Sequence, residues 1–327
     1  MAGLLFRSEH DVDPAVNVQQ LSCKPHVQPF VGRIGGNQGI VLDRSDPDNA
    51  EYLRKVPDAA PLMSARDAFN VRGFTDLDLW RFAVVECVGN TARDEGTMML
   101  VFITAWAAAT PANIAPPTPS TPAGIFATTA FLGPLVGAFT NWLLLTLFIF
   151  SFSSVSGSHL NPTITLATFF ARLISLPRMV LYLAGQILGG ALAGWMLQSA
   201  FGSGQYSVGG CVIDTALVPV REAFVLEFIC CLILIFLSFG VGLDPRQVRV
   251  YGAALSPWLV GMVLGVVSLG SAYTREGYGG ASLNPARCFG VYVGSSFPGY
   301  HWIHWVGPIA AAIGHGLVYY LVPPWKA

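Results

Sequence analysis

Two short stretches carry polar groups of interest inside an otherwise apolar chain: "SGSHLNPTITLA" at 156–167 and "GGASLNPARCFG" at 279–290. Each sets an asparagine directly before a proline, giving Asn161-Pro162-Thr163 and Asn284-Pro285-Ala286. Proline suits the first turn of a helix, where its missing N–H costs nothing. The asparagine before it stands at the cap. Its carbonyl can accept from the open backbone N–H groups, and its NH₂ remains a donor. A hydroxyl or water oxygen passing between two such amides would accept from both. That reorients it and breaks a proton-conducting chain. Arg287, three residues after Asn284, adds a guanidinium one turn into the second helix.

The elements that must position these groups follow from composition. The 327 residues are 53% hydrophobic and 11% charged, with mean hydropathy +0.54. A soluble domain carries about a quarter charged residues, so this chain lacks the solvating exterior it would need in water. Formal net charge is −1, which removes the case for a nucleic acid partner. No nucleophile–base pair and no metal-ligand spacing among its Cys and His residues is evident, so neither an enzyme nor a cofactor is expected. The six cysteines form no CxxC pair, and Cys230 and Cys231 fall within an apolar run.

Apolar stretches long enough to span a bilayer, about 20 residues, lie at 80–109 (interrupted), 130–153, 178–200, 221–243, 251–272 and 302–322. Two shorter segments, 161–171 and 284–294, each begin at an Asn-Pro turn and reach about half the membrane thickness at 1.5 Å per residue. Three spans plus a half-helix, twice, is the pattern of an inverted repeat. An odd number of spans turns the second copy upside down, so the two half-helices meet N-terminus to N-terminus at mid-membrane. Irregular backbone at that depth is tolerated only where it lines a watery cavity. Each half-helix also aims about half a positive charge at that point, which repels cations. An arginine at such depth is costly and therefore faces a cavity. The fold class expected is an all-α membrane protein of six transmembrane helices and two half-helices, with repeats at about 79–200 and 218–323 and a short tail at 324–327. Arg54, Lys55, Arg66, Arg72 and Arg81 before the first span, Arg172 and Arg178 after the second, and Arg246 and Arg249 after the fourth place both termini on the cytoplasmic side.

The strings "HLNPT", "SLNPAR" and "WVGP" (305–308), with Glu86 and Glu227 placed one in each half, resemble the major intrinsic proteins, the aquaporin and aquaglyceroporin superfamily, over roughly residues 80–322. "NPARC" with Cys288 and "GGC" with Cys211 resemble the X intrinsic protein branch, known from fungi and some plants, and point to a fungal source. The resemblance implies a homotetramer in the lipid bilayer with one pore per subunit. It also implies passive movement of glycerol, urea, boric acid and hydrogen peroxide, with water possible. Thr163 departs from the alanine usual in the first motif; its hydroxyl can back-bond to a helical carbonyl, and the asparagine amide geometry is expected to survive. Counting as the family does, the outer filter comprises Arg287, Asn141, Ala281 and either Ser271 or Ala272. None is histidine or aromatic, so the aperture is wider than in water-selective members. A rival from another class, an ion-coupled secondary transporter, would need a midplane cluster of acids to hold its coupling ion. Beyond the two glutamates no such cluster is visible.

The remaining expectations concern the surroundings. Glu86 and Glu227 are read as carboxylates holding the half-loop N–H groups from behind. His159, two residues before Asn161, is placed at the cytoplasmic mouth, either as a gating group or as a satisfied loop residue. Cys211 and Cys288 belong to the outer side, as a bonded pair or as thiols open to oxidants and mercury. Residues 1–78 carry no apolar signal-peptide core and are read as a largely disordered cytoplasmic tail, with a short amphipathic helix near 64–72. "NTARDEG" (90–96) interrupts the first span. Three charges in hydrocarbon would cost about 3 kcal/mol each, so these residues are read as an insertion. That leaves either Glu86 or Glu95 as the acid of the first half.

Overall fold

A computed structural model describes residues 29–34, 41–61, 63–87, 96–111 and 129–321. The proline-rich stretch between the first two spans, the C-terminal tail at 324–327, and all of 90–96 except Gly96 lie outside the described residues.

Two short helices, α1 (Ala50–Lys55) and α2 (Ala65–Ala68), precede the bundle. The first span is split into α3 (Leu77–Cys87) and α4 (Thr97–Ala107). The two halves abut: a Cβ built on Gly189 would lie 2.6 Å from the Cys87 carbonyl and 3.1 Å from the Met98 nitrogen. The strand β1 (Ala109–Pro111) follows, then α5 (Thr129–Phe152), the half-helix α6 (Pro162–Phe170) and α7 (Leu176–Phe201). The second half comprises β2 (Tyr206–Val208), α8 (Val220–Ser238) and α9 (Pro245–Ala272). The half-helix α10 (Pro285–Gly294) and α11 (Ile303–Leu321) complete it. β1 and β2 form a small antiparallel ladder.

Six spans and two half-helices are therefore present among the described residues. Among these residues four helices are long and apolar enough to cross a membrane on their own: 131–152, 176–201, 220–243 and 254–272. The first span misses that mark because it is broken, and α9 is reduced by its non-helical Gly252 at φ 73°. Many large apolar side chains face outward, among them Leu147, Trp195, Val225, Val266 and Leu317. Such an exterior is at rest only in lipid.

The half-helices are seated by close backbone approach. α10 packs along α7, where a side chain on Gly190, Gly194 or Gly290 would collide with backbone of the facing helix. α6 packs against α11 in the same way through Gly316 and the backbone of Phe170. Each half-helix thus leans on the last span of the opposite repeat, as small-residue packing within membranes allows.

The expectation of a largely disordered tail does not hold for its described part. Asp58, on a 3₁₀ turn at Pro57–Ala59, is buried against Arg178 at the start of α7, with a 2.9 Å ion pair. The Ser175 N–H and hydroxyl donate to the same carboxylate at 2.9 and 3.0 Å. Burial raises the Asp58 carboxyl, but Arg178 and the Ser175 donors outweigh it and hold the group below its ordinary value. In place of a helix over 64–72 the chain makes α2, capped by Ser64, and a 3₁₀ segment at Val71–Thr75. Composition pointed to disorder because the partners that bury Asp58 are more than a hundred residues away.

Candidate functional site: two half-helix tips and a conduit

Locally, each Asn-Pro pair acts as the sequence dictates. The Asn161 side-chain oxygen accepts from the Thr163 N–H at 2.9 Å. The Asn284 oxygen accepts from Ala286 at 3.0 Å and from Arg287 at 3.3 Å. The amide nitrogens then bond the opposite half. Asn161 Nδ2 donates to the Leu283 carbonyl at 2.9 Å, and Asn284 Nδ2 donates to the Leu160 carbonyl at 3.1 Å. The tips therefore touch, locked by a reciprocal pair of bonds. One hydrogen of each NH₂ remains, and both residues line the central cavity. The Thr163 hydroxyl takes another partner than a carbonyl of its own helix, donating across to Leu283 O at 3.1 Å, and the Asn161 cap is kept beside it.

Leu160 and Leu283, the residues before each asparagine, both adopt left-handed backbone, at φ 51° and 60°. Such a conformation costs an L-residue about 1–2 kcal/mol and persists only when its surroundings impose it. The imposing groups are the two buried glutamates. Glu86 accepts from Ser156 Oγ at 2.7 Å, His159 N at 3.1 Å, Leu160 N at 2.7 Å and Gln186 Nε2 at 2.8 Å. Glu227 accepts from Ser282 N at 2.9 Å and Leu283 N at 3.0 Å, with His304 Nδ1 at 3.3 Å and the Cys231 thiol at 3.7 Å. Glu86 fills this position, and Glu95 lies outside the described residues.

A cavity of about 500 Å³ runs past the tips. At one end it is lined by Ile34 and His159, at mid-length by Asn161 and Asn284, and at the other end by Gly209 and Arg287. Asn141, Ala272 and Ala281 line it as well. Ser271 does not. Its hydroxyl accepts from Ala281 N at 3.1 Å and donates to Ser268 O at 3.2 Å, fixing the loop instead of facing the cavity. Of the two alternatives for that position, Ala272 is the one turned inward. Thr104, Ser238 and Ser268 also line the cavity. Those three were not singled out from sequence, because a lone hydroxyl within an apolar span carries no marker of which face it occupies.

Arg287 is only 9% exposed. Its Nη2 donates to Gly209 O at 2.9 Å, and its Nη1 lies 3.5 Å from Cys211 Sγ. Cys211 and Cys288 are joined in a disulfide, Cα atoms 5.3 Å apart, so the reading of these residues as free thiols for oxidants or mercury is corrected. The bond ties the loop after β2 to α10 beside the guanidinium, and Tyr292 OH adds a 2.6 Å bond to the Cys211 carbonyl. His159 is buried, with Nε2 2.6 Å from Gly32 O and Nδ1 3.2 Å from Thr165 Oγ1. Among the described residues no group of three or more His, Cys, Asp or Glu side chains could hold a metal.

Six spans, two touching half-helices and a lined cavity define a membrane channel architecture. The major intrinsic protein family model matches residues 74–319, and the chain belongs to that family. It is 36% identical to aquaporin TIP4-2 of Zea mays over 171 residues, 50% of this chain and 60% of that protein. It is 30% identical to aquaporin TIP1-1 of Zea mays over 214 residues, 62% of this chain and 74% of that protein. The aligned stretch thus spans about 60% of the first of these relatives. The aquaglyceroporin from Plasmodium falciparum matches with TM-score 0.52 at 17% identity, over 76% of this chain and 98% of that one. At that identity the likeness establishes the fold.

Proposed function

We propose that the chain is a passive transmembrane channel for small uncharged solutes: glycerol, urea, boric acid and hydrogen peroxide, with water as a further permeant. The observation that carries this reading is the continuous cavity whose wall presents both tip amides and, at one end, Arg287. A neutral hydroxylated molecule finds donors there, whereas a cation meets two helix N-termini and a guanidinium. Exclusion by half-helix dipoles and an arginine is the established device of aquaporin-type pores; its presence here is inferred from the same parts. The small wall residues Ala272 and Ala281, with Asn141, favour solutes larger than water.

The finer assignments rest on the same frame. The Lys and Arg distribution supports both termini in the cytoplasm, which makes the Ile34–His159 end the inner mouth and the disulfide end the outer one. We place the chain in the plasma membrane as a homotetramer with one pore per subunit. Cys211 and Cys288 support the X intrinsic branch, and with it a fungal source.

Stopped-flow light scattering on proteoliposomes with a panel of solutes tests the reading. Flux linear in the solute gradient and indifferent to sodium and proton gradients is expected. Saturation at millimolar solute with dependence on either ion would instead establish an ion-coupled transporter. Asn141→Phe should cut glycerol flux relative to water by about tenfold, the size set by 1.4 kcal/mol of added barrier. An unchanged solute ranking would remove Asn141 from the filter.

A further inference from the structure

We infer that residues 30–34, "FVGRI", form a strap that closes the inner mouth of the conduit, so that the described conformation is a shut state opened by withdrawal of the amino-terminal segment. The inference rests on the channel reading above.

Val31 and Ile34 are each 2% exposed, although the segment precedes the bundle in sequence. They belong to one apolar cluster with Ile149 of α5, Ile164 of α6, Leu234 of α8 and Val260 of α9. These helices come from both repeats. The place where both repeats converge is the axis between them, and that axis is the conduit. Ile34 indeed lines the same cavity as Asn161 and Asn284. An apolar side chain there offers a hydroxylated solute no partner. The carbonyl of Gly32 meanwhile occupies His159, a polar side chain lining that end, at 2.6 Å.

The strap is held by a set of polar anchors to the body. Val31 N donates to Asp58 O at 2.9 Å, and Ile34 N donates to Gly157 O at 3.0 Å. Arg33 Nη1 donates to the Ser153 carbonyl at the end of α5. The Arg178 and Arg33 guanidinium carbons stand 4.1 and 4.8 Å from the Phe30 ring centroid, two cation–π contacts on one ring. Arg178 is in turn fixed by Asp58. Gly157, at φ 87°, leaves the space Phe30 fills: a Cβ there would strike the ring. A tail that merely coated the surface would have no need for its carbonyl to reach a cavity-lining histidine or for its isoleucine to enter the cavity.

The full-length protein in proteoliposomes decides the matter. A Cβ on Gly32 would meet the Ile174 side chain, so Gly32→Cys with Ile174→Cys sets two thiols within bonding reach. Oxidation of that pair should lower glycerol flux by roughly fivefold and dithiothreitol should restore it, because flux scales with the open fraction. The parent, treated alike, corrects for the Cys211–Cys288 bond. In a second variant, Val31→Ser with Ile34→Ser should raise glycerol flux roughly fivefold while leaving the ranking of solutes unchanged, since the filter lies at the other end. A closed cysteine pair, verified by mass, that conducts as fast as its reduced form overturns the strap. So does an unaltered flux in the double serine variant, which decides alone if the cysteine pair does not close. Vesicles of the double serine variant that swell no faster than protein-free ones would instead bring down the channel reading, and the strap with it.

Discussion

The two half-helix tips are built to one plan but secured by different means. In both, a left-handed leucine precedes the asparagine, a buried glutamate grips the leucine N–H, and the asparagine amide crosses to the other half. Behind the first tip, Glu86 receives four donors, one each from Ser156, His159, Leu160 and Gln186. Behind the second, Glu227 receives two backbone N–H groups and is completed by His304 and the Cys231 thiol. The surroundings diverge further still. The first tip faces the strap and its buried Asp58–Arg178 pair, whereas the second is stapled by Cys211–Cys288. The lesson is that the parts lining the cavity at mid-length match, while the groups that back and brace them differ.

That comparison can be broken most severely at the carboxylates. Glu86→Gln puts an NH₂ into a site where every partner is already a donor, and should destabilise the protein by about 3–5 kcal/mol, as stripping a buried charged partner does. Glu227→Gln should cost about half as much, because His304 Nδ1 can switch tautomer and accept. Thermal unfolding of the detergent-solubilised variants reads both, and equal losses would mean that the difference in partners has no energetic content. Next in size is the staple. Cys211→Ser with Cys288→Ser should cost about 2–4 kcal/mol and loosen Arg287, seen as a changed ratio of glycerol to urea flux. A ratio equal to the parent's would show that Gly209 O alone positions the guanidinium. The smallest effect belongs to the split first span. Since α3 and α4 already abut on α7, deleting 90–96 should leave flux within about twofold of the parent, under 0.5 kcal/mol. A large loss would give those residues a role of their own.

The parts at the tips were legible in the sequence, while the strap and the staple were not, for a physical reason. An Asn-Pro turn, an arginine one helical turn later and a glutamate within an apolar run are local signals whose consequences follow from caps, dipoles and desolvation. The strap depends on contacts such as Gly32 with His159 and Asp58 with Arg178, which join segments that nothing local relates. Tail composition therefore read as disorder. The spacing of Cys211 and Cys288 likewise left bonded and free states both open until the loop after β2 was placed beside α10. At the fifth-span position, a one-residue ambiguity in the loop could not separate Ser271 from Ala272. The structure separates them because only one of two adjacent helical residues faces the cavity.

The account stands on tips in mutual contact at the waist of an uncharged-solute path. The most direct measurement follows solute and proton movement in the same vesicles, loaded with a pH dye and challenged with glycerol under a clamped potential. Swelling well above protein-free vesicles with the internal pH unmoved is the result expected. Dissipation of the pH gradient in step with glycerol entry would mean that the crossed amides do not interrupt the proton chain, and the central claim would fall.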